Sequence, residues 1–148
     1  MQPGFDFIGI TTPFYAVDED GFLALHLRTE ACRDEHGRWD TGSGQLEFGC
    51  DPEENVLREL EEEYGCTGTI IGSLEPHMIL REHEGRRTSW LSIPFFVRVK
   101  RSEVVLRETY KHTDLTWATL STLPEPLHSG FAYTLARYRE RFEQHVRG

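Results

Sequence analysis

The sequence predicts an α+β fold in which helices pack on a mixed β-sheet. Two observations predict it. Several segments rich in β-branched and aromatic residues are separated by Gly- and Asp-containing turns, the pattern of strands. Two other segments, separated in sequence, carry apolar residues at helical spacing. Strands and helices in this mixed order are stable as layers around a shared core. With 148 residues, 38% hydrophobic and 28% charged, the chain can bury a sizeable core unaided. It shows no repeat, low-complexity tract or linker, so residues 1–148 are expected to form one domain.

Residues 5–17 read as the first strand. Glu19-Asp20-Gly21 is a turn, and 22–27 returns as a second strand in a hairpin. Residues 29–38 form a polar loop, and 39–48, with Gly42 and Gly44, a loop holding a short strand. A helix starts at Asp51-Pro52-Glu53-Glu54. Asp51 suits the N-cap, Pro52 the first helical position, and Glu54 closes a capping box. It ends at Tyr64, with Gly65 as its stop. Strands follow at 67–71, 76–81 and 89–100, with a turn at Glu84-Gly85. In the longest of these, Leu91, Ile93, Phe95, Val97 and Val99 alternate, which predicts one buried face. A short strand spans 115–120. A last helix, capped by Ser129, aligns Phe131, Leu135, Tyr138 and Phe142.

The net charge is −9, and the acids are unevenly placed. Between Glu47 and Glu63 there are eight acids and one base, Arg58. This balance argues against a partner such as nucleic acid, whose backbone needs a basic face. No apolar run approaches the ~18 residues of a membrane span. The N-terminus has neither the basic nor the apolar region of a signal peptide. Cys32, Cys50 and Cys66 lack CxxC spacing and read as free thiols of a cytoplasmic protein.

The acidic helix has two faces. At 100° per residue, with Glu59 at zero, Glu62 falls at about 300° and Glu63 at about 40°. Val56, Leu60, Tyr64 and Leu57 form an adjoining apolar stripe. Like charges about 4 Å apart repel by about 4 kcal/mol at an effective dielectric near 20. Two readings remain open at this point: a solvated acidic face, or a site for hard divalent cations such as Mg²⁺ or Mn²⁺.

The surrounding residues carry a resemblance. Gly44, then Arg58-Glu59-Leu60-Glu61-Glu62-Glu63-Tyr64-Gly65-Cys66, reproduce the spacing Gx5Ex7REUxEExGU, with U aliphatic. Residues 44–66 thus resemble the Nudix box. Three positions depart from it. Cys50 replaces the first Glu, Cys66 the final aliphatic residue, and Gly42-Ser43 the Pro-Gly that usually precedes Gly44. Arg28, and the run Glu108-Thr109-Tyr110-Lys111 with Trp117 and Leu123-Pro124, extend the likeness weakly.

The resemblance implies a Nudix-type α/β/α sandwich. It implies hydrolysis of a phosphoanhydride in a nucleoside diphosphate-linked compound, dependent on Mg²⁺ or Mn²⁺. By the same likeness, Glu59, Glu62 and Glu63 are the catalytic and metal-binding carboxylates, and the Gly44 carbonyl is a further ligand. Arg58 and Gly65 support the site; with Cys50 in place of Glu, Asp51 or Glu54 would have to hold Arg58. Glu59 is the first choice of general base, with Glu47, Glu108 and Asp114 as alternatives. Arg28 and Lys111 are candidates to grip phosphate oxygens, and Trp39 and Trp90 to stack a base, whereas Trp117 reads as packing. The partner is then a small nucleotide or nucleotide derivative, and a homodimer is compatible with the family. The alternative is a catalytically weak nucleotide sensor on the same fold, which Cys50 favours.

Other signals carry less. The seven histidines lack metal-ligand spacing, and His112 alone stands out, in the expected substrate loop. Gly42-Ser43-Gly44 is neither a nucleophile elbow nor a P-loop.

Overall fold

The computed structural model describes residues 1–148. Its strands are β1 (Gly9–Thr11), β2 (Phe14–Val17), β3 (Leu23–Arg28), β4 (Trp39–Asp40), β5 (Thr69–Ser73), β6 (His77–His83), β7 (Arg86–Ser92), β8 (Phe95–Arg98) and β9 (His112–Ala118). The helices are α1 (Pro52–Tyr64), α2 (Ser129–Arg137) and α3 (Arg139–His145). One sheet has six strands in the order β4-β3-β2-β8-β5, with β9 paired to β3. A second has three, β1-β7-β6.

Two expected strands are each divided, and proline is the reason. The segment read as 5–17 becomes β1 and β2, broken at Thr12-Pro13. The segment read as 89–100 becomes β7 and β8, broken at Ile93-Pro94. Proline has no N–H for a ladder and restricts the residue before it. The breaks lie side by side. β1 runs parallel to β7 and β2 parallel to β8, and between them Ile93 N–H donates to Thr11 O and Phe95 N–H to Pro13 O. The β1–β2 and β7–β8 segments therefore cross from one sheet to the other together.

The single buried face expected for the longest strand is corrected as well. In β2 and β8, neighbouring residues are buried on opposite faces. Phe14, Ala16, Phe95 and Val97 pack with Val56, Leu60 and Tyr64 of α1. Tyr15, Val17 and Phe96 pack with Phe131, Leu135 and Phe142 of α2 and α3. The large sheet is thus covered by helices on both sides, a sandwich, and its central strands read as continuous apolar runs.

α1 matches its expected start and stop. The Asp51 side chain accepts from Glu54 N–H at 2.9 Å, and Gly65 ends the helix at φ 62°, a conformation that glycine adopts without strain. The C-terminal helix is two helices, interrupted at Tyr138. Its cap is His128, whose Nδ1 accepts from Gly130 N–H at 3.0 Å, with Ser129 already the first helical residue. Between β6 and β7, Glu84 and Gly85 both have positive φ and form a two-residue hairpin turn.

Candidate active site

α1 presents its acids at graded depth. Glu63 is 5% exposed, Glu59 is half-buried, and Glu62 lies exposed beside Glu59. The buried apolar stripe of Val56, Leu60 and Tyr64 fixes this rotation of the helix. Glu59 and Glu63 line a cavity of about 310 Å³ with Gly44, Ser43, Glu108, Lys111, His26 and His112.

The electrostatics of this corner are unbalanced. Burial pushes the Glu59 carboxyl up to about 7, and the charge of Glu62 adds to the shift. Burial also holds the Glu63 carboxyl well above its ordinary range, reinforced by Glu59 and Glu108. One backbone donor opposes this: Ser43 N–H reaches Glu63 Oε2 at 3.3 Å. Arg58 does not enter the cavity. It pairs with Glu47 at 3.1 Å and donates to Asn55 Oδ1 at 2.9 Å and to Cys50 Sγ at 3.4 Å. Crowded carboxylates with so little positive charge among them are the donor set that hard divalent cations take, so these residues fit such an ion.

Gly44 is required by close approach. A Cβ there would lie 2.0 Å from Glu59 Cδ. Its carbonyl accepts from Thr12 N–H at 2.8 Å and Thr11 Oγ1 at 3.0 Å, and Thr11 Oγ1 also lies 2.6 Å from Ser43 Oγ. The Gly44 loop is thereby tied to the crossover between β1 and β2.

The later candidates divide. Glu108 sits at φ 52° and lines the cavity, 3.8 Å from Lys111 Nζ. A non-glycine residue held at positive φ is strained, and such strain gathers at functional sites. Asp114, at φ 54°, is exposed and lines neither described cavity. It falls where the β3–β9 register shifts, and such bulges re-aim neighbouring side chains. Glu47 is withdrawn from the cavity to Arg58, the partner expected instead from Asp51 or Glu54. The reach of the loop before α1 decides this.

Arg28 lines the cavity, but its guanidinium is already committed to Asp34 at 3.0 Å and Asp40 at 3.4 Å. A second cavity of about 400 Å³ adjoins, sharing Arg28, Arg33, Lys111 and Gly44 with the first and adding Trp90, Arg81, His128 and Phe131. Trp90 lines it. Trp39 lines neither cavity and packs against the core beside Leu127, because β4 aligns it with Leu127. Trp117 lies under the Arg101 guanidinium, 4.8 Å away, as packing.

Sequence reasoning missed His26, Arg33, Asp40 and Arg81. His26 is 1% exposed on β3, with Nδ1 2.8 Å from Tyr64 Oη. The signal available was its place in an apolar strand. The others lie in a loop or face the cavity through pairings that no local pattern encodes.

The geometry can be set beside known proteins. The family model described as NUDIX domain matches residues 10–138. A MutT Nudix hydrolase from Burkholderia pseudomallei superposes with a TM-score of 0.71 at 23% identity, covering 90% of this chain and 99% of that one. A MutT protein from Methanosarcina mazei Go1 gives 0.65 at 26%, covering 93% and 94%. The Nudix domain of Shewanella oneidensis NrtR, solved with ADP-ribose, gives 0.71 at 18%, covering 95% and 93%. No curated protein matches the sequence. The matched span begins within β1 and takes in the Gly44 loop, α1 and all of α2, and the chain is accordingly a member of the Nudix hydrolase family.

Proposed function

We propose that this protein hydrolyses a phosphoanhydride bond in a nucleoside diphosphate-linked compound, using Mg²⁺ or Mn²⁺ held by Glu59, Glu62 and Glu63. The observation that carries this reading is the pair of carboxylates Glu63, buried, and Glu59, half-buried, neither paired with a basic side chain, lining one cavity with Gly44. A bound divalent cation would polarise phosphoryl oxygens and lower the pKa of a water. It would also reverse the sign of a corner that otherwise repels a polyanion. The Gly44 carbonyl would be a further ligand, freed of the Thr11 hydroxyl if that group donated to Ser43 Oγ, 2.6 Å away, instead.

In this reading Glu59 takes the proton of the attacking water, whose oxygen enters in line with the leaving phosphate. Glu108, which lines the same cavity, is the alternative base. Lys111 and Arg33 line both cavities and supply cations to the phosphates, while Arg28 orders the loop through Asp34. The larger cavity, with Trp90 on its wall, is suited to the rest of the substrate. The ADP-ribose bound by the NrtR domain supports a small nucleotide derivative as ligand.

The sensor alternative loses its main support, because Arg58 keeps partners despite Cys50. No helix is long and apolar enough to cross a membrane. Three free thiols, two of them buried, fit a reducing cytoplasm.

The test is incubation with Mg²⁺ or Mn²⁺ and a panel of nucleoside diphosphate derivatives, with products identified. Release of phosphate or a nucleoside monophosphate, abolished in Glu62→Gln and Glu63→Gln, is the expected result. Tight binding without turnover on any panel member would instead mark a sensor.

A further inference from the structure

Beside the carboxylates of α1 lie two histidines from neighbouring strands. His26 of β3 and His112 of β9 have ring centroids 4.1 Å apart and are 1% and 8% exposed. One ligand atom from each, with a Glu63 oxygen, falls within a span of 4.8 Å. His112 Nδ1 lies 3.9 Å from Glu63 Oε1, too far for a hydrogen bond, and it is buried without any partner. A buried ring nitrogen facing a carboxylate across such a gap is unexplained by packing.

The neighbouring cluster of Asp34, Glu35 and His128 shows the contrast. There Arg28 pairs with Asp34, Arg81 with Glu35, and Glu35 accepts from Ser129 N–H at 2.7 Å, so its charges are already met. Around His112, Arg28 and Lys111 line the same cavity, but Arg28 is paired with Asp34 and Lys111 lies nearest Glu108, so neither pairs with Glu63.

We propose that His26, His112 and Glu63 form a nitrogen-bearing site for a borderline divalent transition-metal cation, adjoining the carboxylate site of Glu59 and Glu62. Imidazole suits such ions and does not suit Mg²⁺. His26 can serve as a ligand: its Nδ1 lies 2.8 Å from Tyr64 Oη, and in the tautomer whose Nδ1–H donates there, Nε2 offers its lone pair, the outer support typical of metal-bound histidine. Ligand atoms bound at about 2.1 Å sit roughly 3.0–3.4 Å apart. The 3.9 Å gap therefore closes by a shift of under about 1 Å, within the reach of a rotamer adjustment. The inference rests on the proposed function only in sharing Glu63, and the metal is read out directly.

The test is pulsed EPR of the full chain loaded with one equivalent of Cu²⁺, together with Zn²⁺ and Mg²⁺ binding isotherms. The expected result is ¹⁴N coupling from two imidazoles that falls to one in His112→Gln and is unchanged in His128→Gln. Zn²⁺ affinity is expected to fall about tenfold or more in His112→Gln, with Mg²⁺ affinity changed less than about threefold. His26→Gln removes a fully buried ring, so circular dichroism checks its fold, and His112→Gln decides if it fails. Absence of ¹⁴N coupling in the wild type, or a two-imidazole signal that survives unchanged in folded His112→Gln, overturns the site. Mg²⁺-dependent turnover without ¹⁴N coupling sinks this inference alone. Coupling without turnover on any substrate sinks the proposed function alone.

Discussion

Arg58 reaches back to Glu47, eleven positions earlier, and pairs with it at 3.1 Å while Cys50 Sγ accepts from the same guanidinium at 3.4 Å. The arginine at the outer edge of the acidic helix is therefore held by a carboxylate outside the usual box position.

Cys50→Glu is expected to be neutral or stabilising, by no more than about 1 kcal/mol, because the pair it adds is partly exposed. Thermal melts measure this. Glu47→Gln is expected to lower kcat in the wild type and to lose most of that effect in the Cys50→Glu background. Equal losses in both backgrounds would mean that Glu47 acts by some route other than Arg58.

Gly44→Ala is expected to lower kcat about 100-fold or more. Its Cβ would meet Glu59 Cδ at 2.0 Å, and displacement of about 1 Å near a reacting centre costs on that scale. Steady-state kinetics with the best panel substrate decides this; unchanged kcat would show that Glu59 is free to move without consequence.

Glu63→Gln separates catalysis from stability. Turnover is expected to fall far more than the melting temperature. In metal-free protein near neutral pH the melting temperature is expected to rise, by about 2–4 °C. A buried carboxyl disfavoured as an anion destabilises the fold once it ionises, and the amide removes that charge. A marked drop in melting temperature with full activity would count against a catalytic role.

The pH dependence of metal-free protein follows from the same groups. Glu59, raised from 4.5 to about 7, and Glu63, raised well above 4.5, hold protons in the folded state that the unfolded chain has released. Their contribution is fully present below about 4.5 and is lost as pH rises through the folded values. His26 and His112 act oppositely, because burial lowers both: their contribution is present above about 6.5 and is lost as pH falls. The stability difference between wild type and Glu59→Gln isolates the carboxylate. In EDTA it is expected to move in the variant's favour between pH 4.5 and about 7, and with Mn²⁺ present to lessen or reverse. A flat difference across that window in EDTA would mean that Glu59 is solvated.

Local pattern carried much of the outcome. The start and stop of α1 were legible because Asp51, Pro52 and Gly65 act through their own backbone neighbours. The acidic stripe and its likeness to the Nudix box were legible because the helical period converts spacing into a face. Other features depended on residues distant in sequence. The divided strands follow from paired prolines whose alignment needs β1 beside β7, and the last helix breaks at Tyr138, inside an unbroken apolar period.

By itself, then, the sequence determined that a helix would gather Glu59, Glu62 and Glu63, since intervals of three and four residues put side chains on one face whatever surrounds them. Only the tertiary structure decided their depth: Glu63 buried, Glu59 half-buried, Glu62 in solvent. It also decided that Arg58 would turn to Glu47, and that His26 and His112 would meet Glu63. Those outcomes come from packing a sheet against a helix, and burial and charge compensation are properties of that contact and not of either segment alone.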